Sequence, residues 1–207
     1  ITNLYRPPFV VKPQKVKKKI IPYDEKFEYI FDLKSKFGAS SSTYFNDLMK
    51  NINDTSKSFS LEVSLFNVKT YFVQTGISLY YHTISGDFNS PAIGNYNFRS
   101  LSIGPSFKSM EFLFGTRFTF QPKISLIGKL DFTKDETQRE VDMIENSLAI
   151  GFERSTPFFQ FGRLTYGLQL ERSWMQADAS NIVLNLSNTQ DYVDSFGVFF
   201  GHQSILN

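Results

Sequence analysis

Several segments of the chain alternate large apolar side chains with polar ones. In the segment 59–65, Phe, Leu, Val and Leu occupy the odd positions, and Ser, Glu and Ser occupy the even ones. The segments 27–33 and 71–81 follow a similar alternation. A period of two indicates β-strands with one apolar face and one polar face. The alternation recurs from residue 27 to residue 204 with hardly any helical periodicity between, and it therefore predicts an all-β fold.

The pattern predicts ten strands separated by short turns and longer loops. The strands lie near 27–37, 58–67, 70–84, 97–107, 110–120, 124–133, 143–154, 158–174, 181–187 and 192–205. Tight turns are predicted at 67–69, 107–109, 121–123 and 155–157, and long polar connections at 38–57, 84–97, 133–142 and 175–192. Two tight turns follow each other around 107–123. An eight-strand alternative, which omits 27–37 and 181–187, therefore remains open.

The charged side chains fall on the face opposite the apolar row. On each strand, the alternating positions that carry apolar side chains are assigned to the outer face. This apolar row includes Leu65, Ile77, Phe118 and Leu130 and carries no charge. The opposite face carries a predicted ionic network in the lumen: Glu28, Asp32, Lys34, Glu62, Glu111, Arg117, Lys129, Asp131, Glu145, Glu153, Arg163 and Glu171. The segregation predicts a closed antiparallel transmembrane β-barrel of eight to ten strands with a side-chain-filled lumen. A soluble lipocalin-type barrel, with the apolar row inside, is the alternative.

In this pattern the chain resembles small bacterial outer-membrane β-barrel proteins of the OmpA-like and OmpX-like kind. The resemblance covers residues 27–207 and implies a location in the bacterial outer membrane, with short turns in the periplasm and long loops outside. Such barrels usually end on an aromatic residue. This chain departs from that habit, because it ends with the segment 204–207 and its last aromatic residue is Phe200.

Composition agrees with a barrel rather than a helical membrane protein. The 207 residues include 23 Phe and no Cys, and the mean hydropathy is −0.23. No run approaches the roughly 18 uncharged apolar residues that a spanning helix requires. The net charge is +2, so nucleic acid is not an expected partner. Outer-membrane lipid is the expected surroundings of residues 25–207, the predicted barrel domain.

Residues 1–24 form a separate segment rich in Lys and Pro. It contains four prolines and no acidic residue before Asp24. Proline restricts the backbone and like charges repel, so the segment is predicted to be an extended periplasmic arm. The arm is either a solvated tether or a docking element for an envelope protein or the cell wall. The docking residues would be Lys12, Lys15, Lys17, Lys18 and Lys19.

Candidate catalytic chemistry is limited to one short motif. His202 and Ser204 share a face of the last predicted strand, where a base could activate a hydroxyl for acyl transfer. The stretch 202–204 resembles the His-Gln-Ser of outer-membrane phospholipase A and the His-x-Ser of lipid A deacylases. That resemblance implies His202 as base and Ser204 as nucleophile. The second histidine, His82, is expected to make a polar contact at the lumen mouth among neutral neighbours.

The sequence favours a non-enzymatic protein. We expect an outer-membrane barrel that acts as a structural or accessory subunit, or as an anchor, in a cell-envelope assembly. No metal site and no cofactor are expected, because metal-ligand spacings and phosphate-binding glycine motifs are missing from the sequence. A lipid acyl hydrolase using His202 and Ser204 is one alternative, and a narrow channel is the other.

Overall fold

The described part of the chain is a closed antiparallel barrel. The computed structural model describes residues 29–42, 55–67, 72–90, 93–134, 136–158, 162–177 and 191–206. The strands are β1 (Tyr29–Ser42), β2 (Thr55–Asn67), β3 (Val73–Ser90), β4 (Ile93–Ser109), β5 (Thr116–Lys134), β6 (Thr137–Pro157), β7 (Arg163–Ala177) and β8 (Asp191–Leu206). Each strand pairs with its sequence neighbours and β8 pairs with β1, which confirms the predicted all-β barrel. Within these ranges, no helix is long and apolar enough to span a bilayer.

The strand count falls at the lower end of the predicted range. The expected turn at 121–123 is wrong, because the chain runs through it as the middle of β5. Pro122 interrupts only the ladder to β4, in which no residues pair directly between Ile103↔Ile124 and Phe107↔Phe120. The segment 27–37, which the eight-strand alternative omitted, corresponds to β1. Residues 1–28 and the predicted strand at 181–187 lie outside the described residues.

The strands are strongly tilted around the barrel axis. A path of directly paired residues that starts at Tyr29 and passes once through all strands returns to β1 at Ala39, ten residues further along. A stagger of ten on eight strands corresponds to a tilt of about 43°. The end of β2, the start of β3, the end of β4, the start of β5, the end of β6 and the start of β7 lie at one end of the barrel, together with the start of β1 and the end of β8. We call this the turn end, and the opposite end the loop end.

An apolar belt covers the outside of the barrel. Its exposed side chains are Tyr29, Leu33, Phe37, Leu61, Leu65, Val73, Ile77, Leu79, Phe118, Phe120, Ile124, Leu126, Ile150, Phe152, Leu164, Leu168, Leu170, Phe196, Val198, Phe200 and Ile205. On β1 the belt extends from Tyr29 to Phe37, which at the observed tilt is roughly 20 Å along the axis. This height approaches the ~25 Å apolar band of outer-membrane barrels. The outward placement of the apolar row identifies the membrane version of the barrel.

Towards the loop end, the polarity of the two faces is reversed. Ile84, Phe98 and Met143 are buried inside the barrel there, whereas Arg99 and Asp142 lie outside. On β5 the reversal coincides with a β-bulge. The register to β6 shifts by one residue between Ile124 and Lys129. A one-residue insertion moves every following side chain to the opposite face.

The bulge corrects three expectations about β5. Leu130 is 2% exposed and faces inward rather than towards lipid. Lys129 and Asp131 lie on the outer face, so the prediction that they join the lumen network is wrong. The predicted parity extends the alternation of the segment before the bulge. The available signal is the break in that alternation at Leu126 and Ile127, followed by Gly128.

The belt predicts that the cost of an inserted charge depends on depth. Leu168 lies in the middle of the outward row of β7, and Leu164 lies beside the turn end. Leu168→Arg should lower the free energy of unfolding in phospholipid vesicles by about 2–4 kcal/mol, whereas Leu164→Arg should lower it by about 0–1 kcal/mol. Chemical denaturation of both variants measures the difference. Equal costs at the two depths would contradict the membrane placement.

Candidate functional site

The lumen beside the belt contains a cluster of ion pairs. Lys108 Nζ donates to a carboxylate oxygen of Asp32 and, at 3.0 Å, to Glu153. Lys34 Nζ lies 2.7 Å from Glu153, 3.4 Å from Asp32 and 3.8 Å from Glu62. Asp32, Lys108 and Glu153 have no exposed surface. Buried charges are tolerated only when they are paired, and this cluster pairs each of its members.

A second cluster is centred on Glu171 of β7. Its carboxylate accepts hydrogen bonds from Lys36 at 2.5 Å, Lys123 at 2.6 Å and Ser147 at 3.0 Å. The ammonium group of Lys123 also lies 4.3 Å from the centre of the Tyr80 ring, so the cation contacts an aromatic face. The strands β1, β5, β6 and β7 are thereby cross-linked through one carboxylate.

Amide side chains and hydroxyls extend these contacts through the lumen. Gln121 donates to Glu62 at 2.8 Å and accepts from Gln169 at 3.1 Å. Ser64 donates to Glu62 at 2.6 Å and lies 2.5 Å from Ser78. Neutral polar groups therefore occupy the space between the charged ones.

His82 lies where the polar lumen ends on the side of the loop end. Its Nδ1 lies 3.1 Å from Glu145 Oε1, so the expectation of neutral neighbours is wrong. The other Glu145 oxygen accepts from Ser100. Towards the loop end the interior becomes apolar, with Ile84, Phe98, Leu130, Met143, Met175 and Val193 buried. This apolar layer separates the ionic lumen from the loop end.

His82, Glu145 and Glu171 place three ligand atoms within 4.8 Å of one another. A histidine and two carboxylates are a donor set that divalent metals accept. Both oxygens of Glu171, however, already accept hydrogen bonds from lysine ammonium groups, which would repel a cation. We therefore interpret the group as the end of the ionic network.

The structure places six of the predicted network residues deep in the lumen. These are Asp32, Lys34, Glu62, Glu145, Glu153 and Glu171, and Arg117 lies near the turn end with 9% exposure. Glu111 is outside the strands, in the connection between β4 and β5, and Arg163 is half-buried beside it. Glu28 is outside the described residues.

Sequence reasoning missed three of the lumen lysines. Lys108 and Lys123 were assigned to tight turns, and Lys36 was overlooked although it shares the inward parity of Lys34. The available signal was parity: Lys108 continues the inward row of Ser106, and Lys123 that of Gln121. These lysines, rather than Lys129, neutralise the interior carboxylates.

Lys129 and Asp131 of β5 belong to a group of charged residues on the outer face of the barrel, between the apolar belt and the loop end. Arg99 donates to Asp131 at 2.6 Å, and Lys129 donates to Glu140. The hydrogen bond from Lys129 lowers the pKa of Glu140, and the same bond raises the pKa of Lys129. The small stabilisation from Glu140 is therefore present at neutral pH and lost as the pH falls through its folded pKa. Lys129 loses its contribution when the pH rises through its own raised pKa.

The motif of His202 and Ser204 lies on the outer face of β8, at the turn end. Ser204 Oγ is 3.3 Å from His202 Nδ1. No described carboxylate contacts His202, so an orienting acid is missing from the described residues. The lysines of the predicted arm lie outside the described residues.

Comparisons with known proteins identify the class but no family. No protein-family model matches the chain, and no curated protein matches it. Among solved structures, Ail, the attachment invasion locus protein of Yersinia pestis, superposes with a TM-score of 0.50 at 12% identity, covering 86% of this chain and 99% of Ail. The neisserial surface protein A gives 0.48 at 9% identity, covering 84% and 96%. The outer-membrane enzyme PagL gives 0.43 at 14%, covering 83% and 98%.

The match to Ail agrees with the geometry described above. The chain has the fold of small, eight-stranded bacterial outer-membrane β-barrels. The resemblance stated from the sequence is thereby confirmed at the level of architecture. At such identities the matches carry no information about activity or ligands.

The ionic lumen predicts a large cost for removing one buried charge. Lys108→Met should lower the free energy of unfolding by about 3–5 kcal/mol, because Asp32 loses its closest cation and Glu153 loses one of two. Lys57→Met, on the exposed outer face of β2, is the matched control and should change stability by less than about 0.5 kcal/mol. A Lys108→Met variant as stable as the control would show that the network does not support the fold.

Proposed function

We propose that this protein is a non-enzymatic outer-membrane barrel that serves as an anchor or accessory subunit of a cell-envelope assembly. The observation that carries the proposal is the lumen, which is filled by paired charges and closed by the apolar layer towards the loop end. Such an interior holds the wall together and leaves no water-filled route. We therefore assign the barrel a role in holding a partner at the membrane rather than in transporting solutes across it.

Because the lumen is filled with side chains, we expect the barrel to conduct no ions. Ions would have to displace the contacts of Lys34, Glu153 and Glu171 and then cross the layer formed by Phe98 and Met143. The purified barrel, reconstituted in planar bilayers, should give no stepwise conductance above the lipid background. Migration that shifts on heating in a detergent gel confirms that the protein tested is folded. Regular unitary steps would favour the narrow channel instead.

The basic arm supplies the proposed contact with the assembly. Since β1 begins at Tyr29 at the turn end, residues 1–24 join the barrel there. In the orientation common to outer-membrane barrels the turn end faces the periplasm. Five lysines without a neighbouring acid suit an acidic partner surface, either a protein or the cell wall.

Charge removal in the arm tests this contact. Replacing Lys12, Lys15, Lys17, Lys18 and Lys19 by Gln should abolish cross-links from a photoreactive probe placed elsewhere in the arm in native membranes, because the attraction is electrostatic. The variant should keep heat-modifiable migration, since the eight described strands begin at Tyr29 and close the barrel among themselves. An arm that forms no adduct in the unmodified protein would contradict the docking role and leave a tether.

The contact between Ser204 and His202 favours acyl hydrolysis as a second candidate. An enzyme of this kind requires an acid to orient the histidine, and a described one is not present. The purified protein should therefore release no fatty acid from phospholipid or lipopolysaccharide, and Ser204→Ala should leave that background unchanged. Release that disappears in Ser204→Ala would establish the hydrolase.

A further inference from the structure

The connection between β4 and β5 presents large apolar side chains at the turn end. Met110 is 54%, Phe112 46% and Phe114 83% exposed, and Phe72, which precedes β3, is 75% exposed. Met110 N donates to Phe72 O at 2.9 Å, so the two segments lie side by side. We call Phe72, Met110, Phe112 and Phe114 the rim patch. Exposed apolar side chains that lie close together mark a contact surface.

Phe114 has a backbone conformation that aromatic residues rarely adopt. A hydrogen bond from Gly115 N to Phe112 O, at 3.2 Å, closes a β-turn in which Phe114 is the third residue. Its φ is 60° and its ψ is 29°, in the left-handed region, where Gly or Asn is the usual residue. Asn or Gly would therefore suit this turn better than Phe does. The described part of the chain covers little of the ring, so the contact that favours Phe here lies outside it.

The charged residue of the connection is directed away from the rim patch. Glu111 Oε1 accepts a hydrogen bond from Arg117 at 2.8 Å and lies 3.6 Å from a guanidinium nitrogen of Arg163. Arg117 is buried inside the barrel, so these contacts draw the carboxylate towards the interior. Contact with an apolar medium is unfavourable for an ionised carboxylate. The pairing of Glu111 therefore leaves the rim patch without a charge.

The rim patch is continuous with the apolar belt. Phe72 adjoins Val73, which belongs to the belt on β3, and Phe118 is the first belt residue of β5 after the connection. The belt contacts acyl chains, and the layer next to it is the boundary between acyl chains and headgroups. Aromatic side chains are favoured at this boundary.

We propose that the rim patch inserts into the boundary between headgroups and acyl chains in the leaflet at the turn end. The occupant is a lipid surface, because the patch adjoins the belt and carries no charge. Hydrogen bonds from Phe112 N to Thr116 O at 2.9 Å and from Phe118 N to Ser109 Oγ at 2.8 Å hold the connection in place. The rings therefore enter the membrane with little further loss of backbone freedom. This contact requires neither the arm nor an assembly partner, so it goes beyond the function proposed above.

A single fluorescent probe tests the depth of the rim patch. The chain has one tryptophan, Trp174, so Phe114→Trp in a Trp174→Phe background carries the only indole. In phosphatidylcholine nanodiscs, lipid brominated near the headgroup end of its acyl chains should quench most of the emission, and iodide should quench little. Gln138→Trp in the same background is the matched control at an exposed position of the loop end, and it should show the opposite pattern.

Two results of the quenching experiment would overturn the proposal. Strong quenching of Phe114→Trp by iodide, without quenching by bromine, would place the turn in water. Protection from both quenchers would show that protein covers the patch, either the arm or a partner. Heat-modifiable migration verifies that each variant is folded.

A second pair of variants separates lipid contact from backbone strain. Phe114→Asn removes the ring and relieves the strain, because Asn tolerates a positive φ. Its urea midpoint in vesicles should fall, since burial of a Phe ring contributes more than such strain costs. Glu136→Asn is the matched control, because Glu136 has a φ of 62° in the turn between β5 and β6 at the loop end, and its midpoint should rise. A shift in the same direction in both variants would contradict the insertion of Phe114.

Discussion

The backbone of a lipid-exposed sheet must have every hydrogen bond made within the protein, and this constraint governs the whole molecule. A free strand edge in the hydrocarbon region would leave several N–H and C=O groups without partners. The pairing of β8 with β1 removes the edge. Closure with eight strands then fixes a narrow interior, which side chains rather than water must fill.

The filled interior explains why the charges form a network. Five carboxylates are buried in the described lumen, on Asp32, Glu62, Glu145, Glu153 and Glu171, and four lysines accompany them. At this depth, an ion left without its partner costs more free energy than the ion pair contributes. A substitution that removes one charge of a pair therefore requires a second substitution that removes the other charge. The network therefore acts as a set of ties between strands that are far apart in sequence, as Lys108 with Asp32 illustrates.

Much of the architecture could be predicted from the alternation of side chains, because period two and the position of the belt are local properties. The outward side chains from Tyr29 to Leu65 follow from it directly. The bulge in β5 is signalled only by the break in alternation at Leu126 and Ile127 and by Gly128, and these local features do not specify how the strand pairs on either side of it. The role of Lys123 is hidden because Pro122 favours a turn at 121–123, although β5 tolerates this proline. The role of Lys108 is hidden by the separate turn predicted at 107–109. The shared contact of Arg117 and Arg163 with Glu111 joins β5, β7 and the connection between β4 and β5, and no local pattern in the sequence contains it.

The bulge in β5 has a further consequence for how this strand is built. Below residue 124 the strand obeys the rules of a membrane protein, with Phe118 and Phe120 towards lipid and Thr119 and Gln121 inside. Above residue 128 it obeys those of a water-soluble protein, with Leu130 and Phe132 inside and Lys129 and Asp131 outside. One inserted residue thus changes the outer face of the strand from a lipid-facing surface to a water-facing one. The height of that insertion marks where the bilayer ends on this side of the molecule.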